Sequence, residues 1–158
     1  MNWQEVCEHP SLHDLPFKIE LTEEGKLLMT PVKIYHAALQ GELEFLLRSL
    51  LRSGKTLPEC AIHTRKGIRV ADVVWASEGV FAKIKHESAC SVCPEICIEV
   101  VSASNTAEEM REKRKLYFEQ GAKEVWLCTE QGEMIFFAAQ GKREHSALVP
   151  AFPNRIEL

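Results

Sequence analysis

The sequence predicts an α/β sandwich in which helices cover a central mixed β-sheet. The first observation is the order of the segments: hairpin, long helix, hairpin, connection, central strand, helix and hairpin. The second is that 158 residues with 46% hydrophobic content suffice to bury one sizeable core. We therefore expect a single domain over residues 1–158, with an N-terminal arm at 1–16 and a C-terminal tail at 141–158.

The first half of the chain has the pattern of a hairpin followed by a helix. Short apolar runs at 17–21 and 26–30 flank a polar turn that contains a glycine, as in β-hairpins. Leucines then recur at spacings of three and four, which predicts an amphipathic helix over about residues 32–53. Pro31 is expected at its start and Gly54 at its end.

The second half alternates strand-like runs with one further helix. Asn105 and Glu108 have the spacing of a capping pair for a helix over residues 106–120. Residues 77–94 are expected to form a long connection, and residues 147–150 to add an edge to the sheet. The remaining strands are expected at 60–64, 70–76, 96–101, 125–128 and 134–138.

The composition argues against several classes of protein. A net charge of -4 and a pI near 5.9 disfavour broad electrostatic attachment to nucleic acid or to an anionic membrane. No apolar run approaches the roughly 20 residues of a membrane span, and no signal-peptide pattern is evident, so we expect a cytoplasmic location. Cysteines in such a chain are expected to be reduced: Cys7, Cys60, Cys90, Cys93, Cys97 and Cys128.

Two acids interrupt otherwise apolar strands. Asp72 has only apolar neighbours, and Glu99 lies on the same face of its strand as Cys97. If both ionise about 4 Å apart at an effective dielectric constant near 20, they repel by roughly 4 kcal/mol. Either one of them is protonated or a cation lies between them, and a magnesium ion with carboxylate, carbonyl and water ligands is the simplest such cation.

Lys113 adds the third group of the predicted site. It falls on the helical stripe of Met110 and Tyr117, where it is placed to hold a water or to stabilise charge developing on a phosphate. A second interpretation is that both acids lie at strand ends and accept backbone N–H groups, while Lys113 extends along Tyr117 to water. The spacing alone favours neither.

The ordered segments of the chain resemble one known family. They are Phe17-Lys-Ile-Glu20, Met29-Thr-Pro31 with His36 and Gly41, Ala71-Asp72-Val73-Val74, Ile98-Glu99-Val100-Val101-Ser102, Lys113 with Tyr117 and Gly121, and Val125-Trp126-Leu127. Over about residues 10–140 they resemble the Uma-two family, restriction-endonuclease-like members of the PD-(D/E)XK nuclease superfamily. The resemblance implies a restriction-endonuclease-like fold.

The resemblance also implies roles for individual residues. Asp72 and Glu99 would bind the metal, and the Val100 carbonyl would add a ligand. The superfamily lysine, two positions after the second acid, is replaced here by Val101, and the Uma-two arrangement supplies it from the following helix, as Lys113. The proline that usually precedes the first acid is Ala71 in this chain.

Two early residues also match the family. Glu20 corresponds to an early glutamate that would add a metal or water ligand. His36 corresponds to an early histidine that would face the phosphate.

The function expected from these residues is hydrolysis of DNA phosphodiester bonds by a Mg²⁺- or Mn²⁺-dependent endonuclease. A homodimer is expected by analogy with enzymes that cut both strands. Lys66 and Arg69, beside the Asp72 strand, are expected to touch the DNA backbone. The alternative is a catalytically inactive interaction module that keeps the nuclease fold.

A third hypothesis involves the cysteines. Cys90-x-x-Cys93 with Cys97 has half of a zinc-site pattern, or a redox pattern, but a partner pair at ligand spacing is not evident in the sequence. We therefore give zinc or redox chemistry less weight than phosphodiester hydrolysis.

Overall fold

The centre of the molecule is an eight-stranded β-sheet. The computed structural model describes residues 1–158. The helices are α1 (Trp3–Glu8), α2 (Ile34–Leu50), α3 (Glu78–Ile84) and α4 (Ala107–Glu119), with a 3₁₀ turn at Pro10–Leu12. The strands are β1 (Phe17–Thr22), β2 (Leu27–Pro31), β3 (Lys55–Thr64), β4 (Gly67–Ala76), β5 (Ile96–Val100), β6 (Glu124–Cys128), β7 (Met134–Ala138) and β8 (Gly141–Arg143).

The sheet is mixed, as the sequence predicts. Its strand order is β2-β1-β4-β5-β6-β7-β8, and β3 is an additional partner of β4. Strands β5 and β6 are parallel and are joined through α4, whereas every other pair is antiparallel. The predicted α/β fold with a mixed central sheet is therefore confirmed.

Two apolar cores lie against the sheet. One contains the buried leucines of α2, the even-numbered residues of β5 and an aromatic group formed by Trp126, Phe136 and Phe152. The other contains Tyr117 of α4, Ile84 of α3 and four cysteines. Alternation along β5 thus places Ile96, Ile98 and Val100 in the first core and Cys97 in the second, as expected for a strand covered on both faces.

Strand β4 is the organising strand of the functional region. β3 pairs with it from Gly67 to Ala76 along one edge. The opposite edge is shared: β1 pairs only with Ile68 and Gly67, and β5 pairs only with residues 73–75. The sheet therefore opens between β1 and β5, beside residues 69–72 of β4.

The first residue of β4, Gly67, allows β1 to approach closely. Gly67 has φ 99°, and a Cβ atom there would lie 2.2 Å from the carbonyl oxygen of Leu21. Only glycine fits this contact and this backbone conformation.

Helix α2 is shorter than the predicted range of 32–53. Pro31 does not begin the helix; it is the last residue of β2 and pairs with Phe17. A proline is tolerated there because β2 is an edge strand and needs no further N–H donor. The helix begins at Ile34 after the N-cap Lys33, and ends at Leu50.

The other boundaries need similar corrections. Strands β3 and β4 extend well beyond 60–64 and 70–76, because a short turn at residues 65–66 lets them pair over their whole length. The connection at 77–94 contains α3, and the predicted strand at 96–101 ends at Val100. The cap of α4 is Thr106 with Glu109, not Asn105 with Glu108. The Asn105 side chain instead accepts a hydrogen bond from the Ser102 N–H.

The two ends of the chain pack against the sheet. Val6 of α1 lies with Leu21 and Ile68 in a small third cluster. The predicted edge at 147–150 is wrong: the edge strand is β8, and Val149, Phe152 and Ile156 instead enter the first core. No helix combines the length and apolarity that a membrane crossing requires.

Candidate active site in the opening of the sheet

Where the sheet opens, two carboxylates accept hydrogen bonds from backbone N–H groups that have no partner strand. Glu20 Oε2 accepts a 2.8 Å bond from the N–H of Val70, and Asp72 Oδ2 accepts a 2.7 Å bond from the N–H of Val100. These N–H groups lie beyond the short pairings of β1 and β5 with β4. A buried N–H without a partner is costly, so each carboxylate stabilises the strand whose N–H it accepts. The same hydrogen bond holds the carboxylate in place.

An irregularity in β4 accompanies Asp72. Ala71 and Val74 belong to the same core although they are three residues apart, which regular alternation would not allow. On β3, Glu59 opposite Asp72 has φ 47° and interrupts the pairing between Pro58 and Cys60. The Asp72 carbonyl accepts a bond from Gln40 Nε2 of α2 instead.

Two lysines lie between three acids. Lys18 Nζ is 3.1 Å from Asp72 Oδ1 and 3.2 Å from Glu99 Oε2. Lys113 Nζ is 2.9 Å from Glu20 Oε2 and 3.1 Å from Glu99 Oε1. With all five groups ionised, the set keeps one negative charge in excess.

The helices on both sides of the sheet contribute further groups. From α2, His36 Nε2 lies 3.3 Å from Asp72 Oδ1. From α4, the Tyr117 hydroxyl donates a 2.8 Å hydrogen bond to Glu99 Oε1. These groups surround a cavity of about 110 Å³ whose other lining residues include Lys33 and the loop residues Ser102, Ser104, Asn105 and Glu130.

The surroundings shift the pKa values of the acids in different directions. Burial opposes ionisation of Asp72, but Lys18, His36 and the Val100 N–H outweigh it, so the pKa of Asp72 lies below its usual range. Glu20 behaves similarly, since Lys113 and Lys18 outweigh burial and lower its pKa. Burial dominates at Glu99 and raises the pKa of that carboxyl, although Lys113 and Lys18 act in the opposite direction.

Lys18 is held in its charged form. Burial alone would lower the pKa of its ammonium, but Glu99, Asp72 and Glu20 together raise it. The pKa of Tyr117 is also raised, first by burial and then by the nearby Glu99 carboxyl, so its hydroxyl stays a donor.

The structure brings together every side chain that the sequence singles out for the site. Glu20, His36, Asp72, Glu99 and Lys113 line one cavity, and Val100 lines it as well. The second interpretation from the sequence, in which the acids accept hydrogen bonds from backbone N–H groups, also describes part of the site. Asp72 accepts such a bond from the N–H of Val100.

Lys18 was missed by the sequence reasoning. It is two residues from Glu20 in β1, so the alternation of a strand places both side chains on one face. That relation would have identified Lys18 once Glu20 was selected. Lys66 and Arg69, expected at a DNA backbone, have protein partners: Lys66 Nζ lies 3.4 Å from Glu112 Oε2, and Arg69 Nη1 donates to the Leu21 carbonyl.

Comparison with known proteins identifies the family. The model of the family Uma2, described as "Putative restriction endonuclease", matches residues 3–157. The chain belongs to the Uma2 family. The Uma2 fold seen here is similar to the crystal structure of "a putative nuclease belonging to DUF820 from Anabaena variabilis", with a TM-score of 0.71 and 15% sequence identity. The similarity covers 90% of this chain and 83% of that one. No curated protein matches the sequence.

The oxygen atoms at this Uma2 site suit a hard divalent cation. Carboxylate and carbonyl oxygens are the ligands that Mg²⁺ and Mn²⁺ prefer, and Asp72, Glu99 and Val100 line the same cavity. When all five groups are ionised, the one negative charge in excess also favours a cation. No three His, Cys, Asp or Glu side chains converge into a closed metal site. The ammonium groups of Lys18 and Lys113 lie between the acids, so a metal ion would have to displace the Lys18 ammonium from between Asp72 and Glu99.

Proposed function

We propose that this protein is a metal-dependent endonuclease that hydrolyses phosphodiester bonds of DNA in the cytoplasm. The observation that carries the proposal is the alternation of Asp72, Lys18, Glu99, Lys113 and Glu20 in one cavity. Phosphodiester hydrolysis needs negative groups to bind a metal and positive groups to stabilise charge on the phosphate. Membership of the Uma2 family, with its description "Putative restriction endonuclease", supports the same reaction.

Asp72, Glu99 and the Val100 carbonyl would hold the metal, which would supply Lewis-acid activation of the phosphate. Lys113 is placed to orient the attacking water or to stabilise the charge that develops on a phosphate oxygen. Its ammonium is fixed by Glu20 and Glu99, so little reorganisation is needed when the phosphate arrives.

Lys18 and His36 contribute from the Asp72 side of the cavity. The Lys18 ammonium offsets part of the charge of Asp72 and Glu99 before a metal binds. Once released, it would be free to contact a phosphate oxygen. His36, about one fifth exposed, is placed to donate a hydrogen bond to the same phosphate.

The test is cleavage of supercoiled plasmid DNA by the purified protein with Mg²⁺, Mn²⁺ or a chelator. Cleavage should require metal and should be lost in Asp72→Asn and Glu99→Gln. Glu108→Gln, which alters an exposed acid of α4, is the matched control and should cleave normally. Equal cleavage by the wild type and both site variants would overturn this mechanism. A parallel assay on RNA tests the choice of DNA.

A second candidate function is a catalytically inactive interaction module with the nuclease fold. The observation that favours it is the position of Lys18, whose ammonium lies between the two acids. This function predicts that Mn²⁺ leaves the melting temperature unchanged. A rise with Mn²⁺ in the wild type that is absent in Glu99→Gln would count against it.

A homodimer is part of the proposed endonuclease, because cutting both strands commonly uses two sites. Sedimentation of the protein bound to a DNA duplex would measure it. A single protein chain per duplex would contradict it.

A further inference from the structure

Four cysteines that are distant in sequence meet on the α4 side of the sheet. They belong to one buried cluster: Cys60 of β3, Cys90 and Cys93 of the connection before β5, and Cys97 of β5. All are free thiols. Their contacts form two pairs, with Cys60 Sγ 3.4 Å from Cys90 Sγ and Cys93 Sγ 3.3 Å from Cys97 Sγ. Cys60 therefore lies beside the Cys90-x-x-Cys93 segment, a proximity that the sequence alone does not reveal.

Backbone hydrogen bonds hold Cys60 and Cys90 together. The N–H of Cys90 donates a 2.7 Å bond to the Ala61 carbonyl, and the N–H of His63 donates a 3.0 Å bond to the Cys90 carbonyl. Cys90 thereby forms a parallel β-bridge with Ile62, which follows Cys60 by two residues in β3. The proximity of the two sulfur atoms is therefore set by the fold and does not depend on two side-chain rotamers alone.

The Cys60–Cys90 pair is the more accessible of the two. Cys60 and Cys90 are 9% and 5% exposed, whereas Cys93 and Cys97 are 1% and 0% exposed. Cys90 also lies in a connection, at the edge of the packed core. A small oxidant therefore reaches this pair before the inner one.

The two thiols differ in reactivity. The sulfur atoms of Cys60 and Cys90 lie within hydrogen-bond distance, and either thiol can be the donor. This contact lowers the pKa of Cys90 despite burial. The same hydrogen bond, with burial, raises the pKa of Cys60. The lower pKa of Cys90 favours Cys90 as the attacking thiolate, with Cys60 as the neighbouring thiol.

We propose that Cys60 and Cys90 form a peroxide-sensitive dithiol that closes to a reversible disulfide between β3 and the connection before β5. The Cys90 thiolate attacks one oxygen of hydrogen peroxide, the O–O bond breaks, and a sulfenic acid forms. The hydroxide that leaves takes up the proton that the Cys90 thiol had released and departs as water. The Cys60 sulfur then attacks the Cys90 sulfur and expels a second water. Two thiols lose two protons and two electrons to peroxide, and a thiol reductant reverses the reaction.

The bond would link residues 30 positions apart and restrict the segment that leads into β5. Because the loop closed in the unfolded chain is long, the disulfide is expected to stabilise the protein. This site is independent of the proposed endonuclease reaction, since neither thiol contacts Asp72, Glu99 or Lys113 in the hydrogen bonds and ion pairs of the structure.

The test treats the purified, reduced full-length protein with stoichiometric hydrogen peroxide, blocks remaining thiols with iodoacetamide and maps the peptides by mass spectrometry. We expect a Cys60–Cys90 cross-linked peptide, a mass lower by two hydrogens, a higher melting temperature and full reversal by dithiothreitol. Cys60→Ser and Cys90→Ser should each abolish the cross-link. Cys128→Ser, which alters a buried thiol in the other core, should retain it.

Three results would overturn the proposal, and the wild type alone suffices to detect each of them. One is oxidation of Cys90 to sulfinic acid while Cys60 remains alkylated by iodoacetamide. Another is a cross-link confined to Cys93 and Cys97. The third is complete resistance of Cys60 and Cys90 to peroxide, including resistance caused by copurified zinc, which elemental analysis would detect.

Discussion

Lys113 Nζ lies 3.1 Å from Glu99 Oε1, so a lysine from helix α4 reaches the acid near the end of β5. The nuclease superfamily pattern places its lysine two residues after the second acid, where this chain has Val101. The pairing of Lys113 with Glu99 and Glu20 makes it the candidate for the missing group.

We expect Lys113→Met to lower the rate of DNA cleavage by at least about 10²-fold, because a positioned group of this kind typically contributes that much. Metal-dependent stabilisation should remain, since the proposed ligands are unchanged. Plasmid cleavage and thermal melting with Mn²⁺ measure the two effects. Lys115→Met removes an exposed lysine from the same helix and should change neither. Normal cleavage by Lys113→Met would remove Lys113 from the mechanism.

The sequence predicts much of the fold because its apolar periodicity is strong. The leucines of α2 and the alternation of β5 identify elements that the structure contains. The predicted boundaries of the elements differ from the observed ones where pairing between distant residues decides them. Pro31 joins β2 through its pairing with Phe17, and the tail enters the core through Val149, neither of which local pattern reveals.

The tail depends on a fourth buried acid, Glu124, which lies outside the candidate active site. Its carboxylate accepts hydrogen bonds from Trp126 Nε1, Ser146 Oγ and the N–H groups of Ala147 and Leu148. Glu124→Gln keeps the shape but replaces an acceptor oxygen with a donor. We expect a loss of about 3 kcal/mol of unfolding free energy, since hydrogen bonds to a buried charge are lost.

Urea unfolding measures this loss, and limited proteolysis should show earlier cleavage within residues 141–158. Glu133→Gln alters an exposed acid near the same strands and should unfold as the wild type does. Equal stability of the two variants would show that Glu124 does not secure the tail.

Cys128 gives a prediction for alkaline pH. Burial raises the pKa of its thiol from 9.0 to about 12. The folded state therefore holds this proton more tightly than the unfolded state, and the resulting stability is complete below pH 9 and is lost between pH 9 and 12. Each tenfold change in proton affinity is worth about 1.4 kcal/mol; allowing for relaxation around the thiol, we expect a loss of about 2 kcal/mol.

Cys128→Val removes the titrating group while keeping an apolar side chain in the core. The difference in unfolding free energy between wild type and variant should change by this amount between pH 9 and 12. A constant difference over that range would contradict the assignment to Cys128.

The acids of the site can be predicted from the sequence, whereas one of the lysines that pair with them cannot. Asp72 and Glu99 are conspicuous because each interrupts an apolar strand. Lys18 is not conspicuous, since a lysine near the start of an edge-proximal strand is usually exposed. Its role appears only when β1 and β5 diverge from β4 and leave an opening that its ammonium enters.

The position of Lys18 leads to the last prediction. Lys18→Met removes the positive charge between Asp72 and Glu99 and leaves two buried acids facing each other. Without metal we expect a loss of about 3 kcal/mol of unfolding free energy, because one partner of a buried ion-pair network is gone. With Mn²⁺, the melting temperature should rise by more than it does in the wild type, because the cation no longer competes with an ammonium group.

Lys33→Met removes an exposed lysine from the same cavity, so this variant should melt and respond to Mn²⁺ as the wild type does. An equal response to Mn²⁺ in Lys18→Met and the wild type would mean that the metal does not bind between Asp72 and Glu99.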